Sequence, residues 1–470
     1  MGIETELASW SVRTRYDDLP DEVTDLMKTL TWVIAGCTVA GGRADGCEEV
    51  VDLVRSWGGA EEATVLVHGG RAPAHAAVLA NSTMARAHDI CDFVMPGQHL
   101  GTSLVPVALA VTELVGGRSG SEVLTALAVG AEVGTRLGLV TRQGGFDPSG
   151  VGTVIAATVV AGRLMALDDE QMLNAMALAF NRAGGSFQSN IDASLAVRLI
   201  QGFSSRNAVE CAQLAQRGMT GPEHWITGVW GFHHLFSDRR DDATLAGQLG
   251  ERWTVMAMGF KNFPACGGTG TATDAALALA EQYSLTARNV ESVTVRMAGE
   301  LPYLLVGSTF EPGRNPTVDG QFSVQYTVAN ALLRGTPTMD HFTPEAVTDP
   351  AAVKLAGAVR VVYEPELAEG IHIGRAAVDV RTTDGRLLSE VRDGMKGGAH
   401  DPLDRDRLLH DFWDRSSYGG RPVPADRLSE FLRTVDRMEE LDDARDLVPL
   451  LLAADATADD ERELQSLHRA

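Results

Sequence analysis

The sequence runs to 470 residues and carries 63 acidic against 40 basic side chains, a net charge of −23. That balance speaks against nucleic acid or an anionic membrane surface as a partner, but it does not exclude a small anionic substrate held in a locally basic pocket. With 44% apolar and 22% charged residues the chain reads as globular, and its length exceeds what one core comfortably serves, so two domains are expected.

The opening MGIETELASW has no basic region followed by an apolar run, so no signal peptide is expected. Five cysteines (Cys37, Cys47, Cys91, Cys211 and Cys266) lie far apart without a C-x-x-C pair, which suits a reducing, cytoplasmic location. From residue 20 to about 250 the text is Ala-rich, with apolar positions three and four apart. VTDLMKTLTWVIAGCTVAG, PAHAAVLANSTMARAHD, SEVLTALAVGAEVGTRLGLV and VGTVIAATVVAGRLMAL all read as helices. Their small residues permit close helix approach, and Gly and Pro break the apolar runs before they reach a membrane span.

Within this stretch, RAHDICDFVMPGQH (86–99) concentrates polar chemistry. His88 and Asp92 are four apart and could share a helical face, yet no third ligand of an H-E-x-x-H type follows, so no metal is expected. Pro96 and Gly97 push His99 onto a loop, and Asp89 with His99 ten residues on makes an acid/base pair. Further along, Asp147 and Ser149 in RQGGFDPSGVGTVIAA have the placing of helix caps. His233 and His234, beside Trp230 and Phe236, read as structural.

The texture changes at GFKNFPACGGTGT (259–271). Gly267, Gly268 and Gly270, ahead of a helix expected near Thr273, could bind a carboxylate or phosphate through backbone N–H groups. An interdomain hinge with Lys261 on the surface fits the same pattern equally well. Period-two alternation follows in VESVTVRMAG and AAVDVRTTDGRLLSEVRDG, the latter with an Asp-Gly turn. FSVQYTVANALLRG and TPEAVTDPAAVKLAGAV look helical, with Tyr326 a buried aromatic. DPLDRDRLLHDFW returns to helix, and the acidic AADATADDERELQ end is expected to fray. The fold class expected is mainly α with an α+β second domain. A large all-α domain covers 1–266 and 401–470, and a smaller α+β lid covers 267–400.

Five segments in one order give a more specific signal. NSTMARAHDICDFVMPGQHLGTSLVPVALAVTELVGG, GFDPSGVGTVIAATVVAGRLMAL, GFSSRNAVECAQLAQRGMTGP, KNFPACGGTGTATDAALAL and QFSVQYTVANALLRG together resemble the MmgE/PrpD family. That family includes 2-methylcitrate dehydratase, cis-aconitate decarboxylase and iminodisuccinate epimerase. The resemblance implies a helical body with an α+β lid, a homodimer, and lyase or isomerase chemistry beside a carboxylate or carbonyl with no metal or organic cofactor. It assigns His99 as the leading acid/base group and Asp89 as an orienting group or second base. Lys261 would stabilise a carboxylate or enolate, and Tyr326 would be a proton donor from the lid. Asp92, Phe93, Asp147, Val197, Arg198, Cys266, Gly267 and Gly268 would line the substrate site.

Departures from the family pattern shape the expected substrate. A middle acid is Cys91, a threonine is Phe93, a histidine is Asp147, a lysine aligns with Val197 beside Arg198, and a later histidine is Gly270. Losing cations and gaining a carboxylate disfavours a tricarboxylate, so cis-aconitate and methylcitrate are not the expected substrates. The alternatives are a recruited family member catalysing elimination or cyclisation in secondary metabolism, and a ligand-binding pseudoenzyme.

Overall fold

The structure is a computed structural model that describes residues 2–142, 144–368 and 374–454. All but the first two residues of the acidic C-terminal stretch lie outside the described residues. The helical body is built from long Ala-rich helices whose apolar positions repeat with helical period. Asp21–Ala40 begins after Pro20 with Asp21 and Glu22 in its first turn, where acids favour the helix dipole, and buries Val23, Met27, Leu30 and Ile34. Ala74–Arg86, Gly101–Leu114 and Gly120–Val140 pack on it, and Thr153–Leu164 and Ala196–Gln216 pack on those helices in turn. The packing of Ala74–Arg86 on Ala196–Gln216 depends on a small residue: a Cβ at Gly202 would stand 2.6 Å from Thr83 Oγ1 and 2.8 Å from the Leu79 carbonyl oxygen. Gly120–Val140 is long and apolar enough to cross a membrane by length alone, but 94% of its apolar window is buried inside this helical core.

The lid holds a four-stranded sheet with spatial order Val359–Tyr363, Val290–Met297, Ala376–Thr382, Leu387–Arg392. The first pair is parallel and the other two are antiparallel. Helices Gly267–Tyr283 and Val324–Arg334 pack together over it. Strand Val359–Tyr363 was not foreseen, because VRVVY follows directly on the helical text of Pro350–Ala356. The helix expected near Thr273 begins earlier, at Gly267, so the Gly/Thr run is its first turns and not a preceding loop. Tertiary contact outweighs the poor helix propensity of glycine there, with Gly270 lying against the Met395 side chain. The lid's apolar cluster also takes in Phe187, Ala193 and Val197 from the body. The C-terminal helix Arg405–Tyr418 packs back on Asp21–Ala40, with Phe412 edge-on to Trp32.

Candidate active site

Helix Ala74–Arg86 ends just before the polar stretch, so His88 and Asp92 never share a helical face. The chain turns with the Asp89 amide bonded to the Arg86 carbonyl at 3.2 Å, and Asp89 takes a left-handed φ of 51°. For a side-chain-bearing residue that conformation costs on the order of 1 kcal/mol, and Asp is among the few that adopt it readily. Asp92–Phe93 then pairs antiparallel with Gly259–Phe260, and the Lys261 amide donates to the Cys91 carbonyl at 3.1 Å. This two-residue strand pair brings Lys261 against Asp89 across 172 residues of sequence. His99 follows the Pro-Gly turn, its amide donating to Ser149 Oγ at 3.3 Å and its carbonyl accepting from Thr102 Oγ1 at 2.9 Å.

Asp89 is the hub of the cluster. Its Oδ1 accepts from both Arg86 Nη1 and Lys261 Nζ, and all three side chains are almost fully buried. Burial alone would raise the Asp89 carboxyl, but Arg86 and Lys261 outweigh it and hold the group below its ordinary range. Its Oδ2 is buried without a hydrogen-bond partner. The Asp89 carboxylate, Cys91 thiol and His99 imidazole lie within 4.8 Å of one another. Such donors could in principle hold a metal, but a cation at this carboxylate would meet the two positive charges already on it. Burial also pushes the Cys91 thiol far above its ordinary value, away from the thiolate a metal needs.

His99 is set up as a neutral base. Burial, then repulsion from Lys261 and Arg86, lowers its pKa well below the ordinary imidazole value. Nδ1 lies 2.7 Å from the Asp92 carbonyl oxygen, so the ring proton sits on Nδ1 and the lone pair on Nε2. Asp92 is raised by burial to about 6, even though its Oδ2 accepts from the Gly101 amide at 3.0 Å. Asp147 is also raised by burial while its Oδ1 caps the next helix at the Ser149 amide, 2.8 Å away. Cys266 precedes Gly267 at the start of helix Gly267–Tyr283, and burial lifts its thiol to about 11.

Of the residues expected at the site, Asp89, His99 and Lys261 come together, with Cys91 and the backbone of Asp92 completing the group. Others go elsewhere. The hydroxyl of Tyr326 donates to the His341 carbonyl and is approached by Arg334 Nη1 at 3.2 Å, inside the lid's apolar cluster. Phe93 lays its ring on Gly259 and Gly398, and Val197 is buried in the lid cluster. Arg198 does not turn toward Asp89 in place of the missing lysine; its Nη1 donates to the Asp45 carbonyl. Sequence reasoning missed Arg86. Its signal was an arginine three residues before an aspartate, hidden because a basic residue in a helix's last turn is ordinary.

Two family models match this chain. The MmgE/PrpD N-terminal domain covers residues 5–244 and the MmgE/PrpD C-terminal domain covers 263–427. The chain belongs to the MmgE/PrpD family. Among its relatives, the cis-aconitate decarboxylase-like protein oryM of Aspergillus oryzae is 23% identical over 479 residues, spanning 96% of this chain and 97% of the relative. Cis-aconitate decarboxylase of Aspergillus terreus is 23% identical over 477 residues, spanning 96% and 95%. 2-Methylcitrate dehydratase of Escherichia coli is 26% identical over 286 residues, spanning 57% of this chain and 58% of the enzyme. The interval 245–262 between the two family models holds the strand Gly259–Phe260 and Lys261 itself.

Proposed function

We propose that this chain is a lyase that needs no metal or organic cofactor and eliminates water, or an equivalent leaving group, from a small carboxylic acid. The names of its family relatives, decarboxylases and a dehydratase, support a lyase-type activity. The observation that carries the finer reading is the state of His99: neutral, with its proton held on Nδ1 by the Asp92 carbonyl and a lone pair on Nε2. A group that begins a reaction in that state takes a proton before it gives one. It therefore suits removal of a proton from the carbon beside a carboxylate better than delivery of a proton after decarboxylation.

In this scheme the C–H electron pair moves into an enolate as His99 takes the proton. Arg86 and Lys261 hold the negative charge that develops on the carboxylate oxygens. The enolate then expels the leaving group from the neighbouring carbon and forms the double bond. Asp147, whose carboxyl burial raises above its ordinary range, supplies a proton to the departing hydroxyl. Asp89 keeps the two cations together in the empty site.

Charge also bears on substrate. Arg86 and Lys261 bring two positive charges and Asp89 one negative, which leaves room for one substrate carboxylate. Each further carboxylate would be desolvated near Asp92 and Asp147 without a counter-charge. The test is turnover of purified protein on cis-aconitate, 2-methylcitrate and a panel of 3-hydroxy monocarboxylates, followed by appearance of the conjugated alkene from the hydroxy acids and by consumption of cis-aconitate. A monocarboxylate is expected to react, with kcat lowered about 10²–10⁴-fold in His99→Asn. Brisk turnover of either tricarboxylate, or full activity in His99→Asn, would overturn the reading.

A further inference from the structure

A cavity of about 310 Å³ opens between body and lid, and none of Asp89, Cys91, His99 or Lys261 lines it. His88 lines it while the adjacent Asp89 belongs to the charged cluster, so the two lie on either side of one turn of chain. Arg198 projects from the body's helix Ala196–Gln216, and Gln321 ends the lid's short helix Pro316–Gln321. Both line the cavity, and both are nearly fully buried, at 3% and 2% exposed.

Each also carries a donor with nothing to donate to. Arg198 Nε and Gln321 Nε2 are buried and have no hydrogen-bond partner. A buried donor left without an acceptor is costly, the more so when the group is charged, so two such donors lining one cavity from body and lid point to an acceptor that belongs between them. Arg43 adds a second guanidinium at the rim, where it also meets Glu48 at 3.4 Å. Asp45 is exposed at the same rim, and its backbone carbonyl fixes Arg198. His88 is held neutral, its pKa lowered to about 4 by burial and by Arg198, so it offers no charge.

We propose that this cavity is an oxyanion site, in which a carboxylate or phosphate group bridges Arg198 of the body and Gln321 of the lid. A planar guanidinium edge matches two oxygens of such a group, and the amide N–H₂ takes a third acceptor position. The Gln321 carbonyl accepts from the Cys266 amide at 2.8 Å, so an anion seated here also fixes the backbone at the start of the helix beside the catalytic cluster. This goes beyond the proposed elimination chemistry and does not require it.

The test measures binding of inorganic phosphate and of succinate to the full-length protein at constant ionic strength, by thermal shift and calorimetry. Saturable binding is expected in the wild type, weakened tenfold to a hundredfold in Arg198→Gln and abolished in Gln321→Glu, which puts a carboxylate where the amide stood. Arg43→Gln, at an exposed rim position, should weaken binding severalfold and guards against a buried variant that fails to fold. Lys261→Met separates the sources of the anion. Succinate binding lost in both Lys261→Met and Arg198→Gln makes the site the far end of a substrate that reaches from this cavity to the charged cluster. Succinate binding lost only in Arg198→Gln makes it a site for a free anion. No saturable binding of either probe, or unchanged affinity in Arg198→Gln and Gln321→Glu, would overturn the proposal.

Discussion

Replacing Asp89 by Asn would leave Arg86 and Lys261 facing each other in a buried site with no counter-charge. Asn tolerates the left-handed φ of 51° as Asp does, so the change removes charge without adding backbone strain. Both cations bond the same Asp89 oxygen, which puts their nitrogens about 5 Å apart; at an effective dielectric of about 20 their repulsion is about 3 kcal/mol. Breaking a buried ion pair by removing one partner typically costs about 3–5 kcal/mol, and the two figures agree. Lys261→Met alone leaves the Arg86–Asp89 pair intact and should cost about 1.5–3 kcal/mol, the worth of a charged hydrogen bond. The double variant Asp89→Asn/Lys261→Met relieves the repulsion. It should therefore be more stable than Asp89→Asn alone by up to about 3 kcal/mol, although it carries one more substitution. Urea unfolding followed by circular dichroism across the four proteins measures the coupling. Additive costs, with the double variant the least stable of the set, would refute the idea that these three charges form one balanced unit.

Two further outcomes follow from the same geometry. Because burial and the nearby cations hold His99 well below the ordinary imidazole value, it remains an unprotonated base as pH falls, so the acid limb of kcat/KM should lie below pH 6.5; a limb at or above 6.5 would remove His99 as the base. Gly397 sits at φ 93° with its carbonyl accepting the Phe260 amide at 2.9 Å, and a Cβ there would stand 2.0 Å from the Phe260 carbonyl oxygen. Gly397→Ala should therefore shift the strand that delivers Lys261 and lower kcat/KM on the order of 10²-fold. Gly385→Ala, at φ 89° with open space around it, should cost only the backbone strain and leave activity unchanged. Equal activity in the two variants would show that Lys261 does not depend on that turn.

The large elements were legible because their signals are local. Helical spacing marked Asp21–Ala40, Ala74–Arg86 and Gly120–Val140, and alternation marked Ala376–Thr382 and Leu387–Arg392. The site was legible only in part, because the feature that assembles it is not local. Asp92–Phe93 and Gly259–Phe260 are strands of two residues each, too short for any periodicity, and their pairing lies far apart in sequence. Tyr326 shows the opposite case: the helical pattern read it as a buried aromatic, and its hydroxyl is taken up by the His341 carbonyl and Arg334, whereas the family resemblance would have it donate a proton.

Arg86 changes how the departures from the family pattern are weighed. The loss of cations at Val197 and Asp147 suggested a pocket short of positive charge. Arg198 is fixed by the Asp45 carbonyl and lines another cavity, while Arg86 already stands on Asp89 beside Lys261. The cluster is thus not stripped of cations; it holds two, and an internal carboxylate offsets one of them. On the proposed reading, a substrate carboxylate competes with Asp89 for Arg86 and Lys261, and Asp89 Oδ2, buried and unpartnered, makes that competition less costly than displacing a fully bonded carboxylate. A ligand with one carboxylate can win this exchange and restore neutrality, whereas a second and third would press against Asp92 and drive a proton onto it. Selectivity for less anionic substrates then comes from charge already inside the pocket, and Asp92 would link substrate binding to proton uptake.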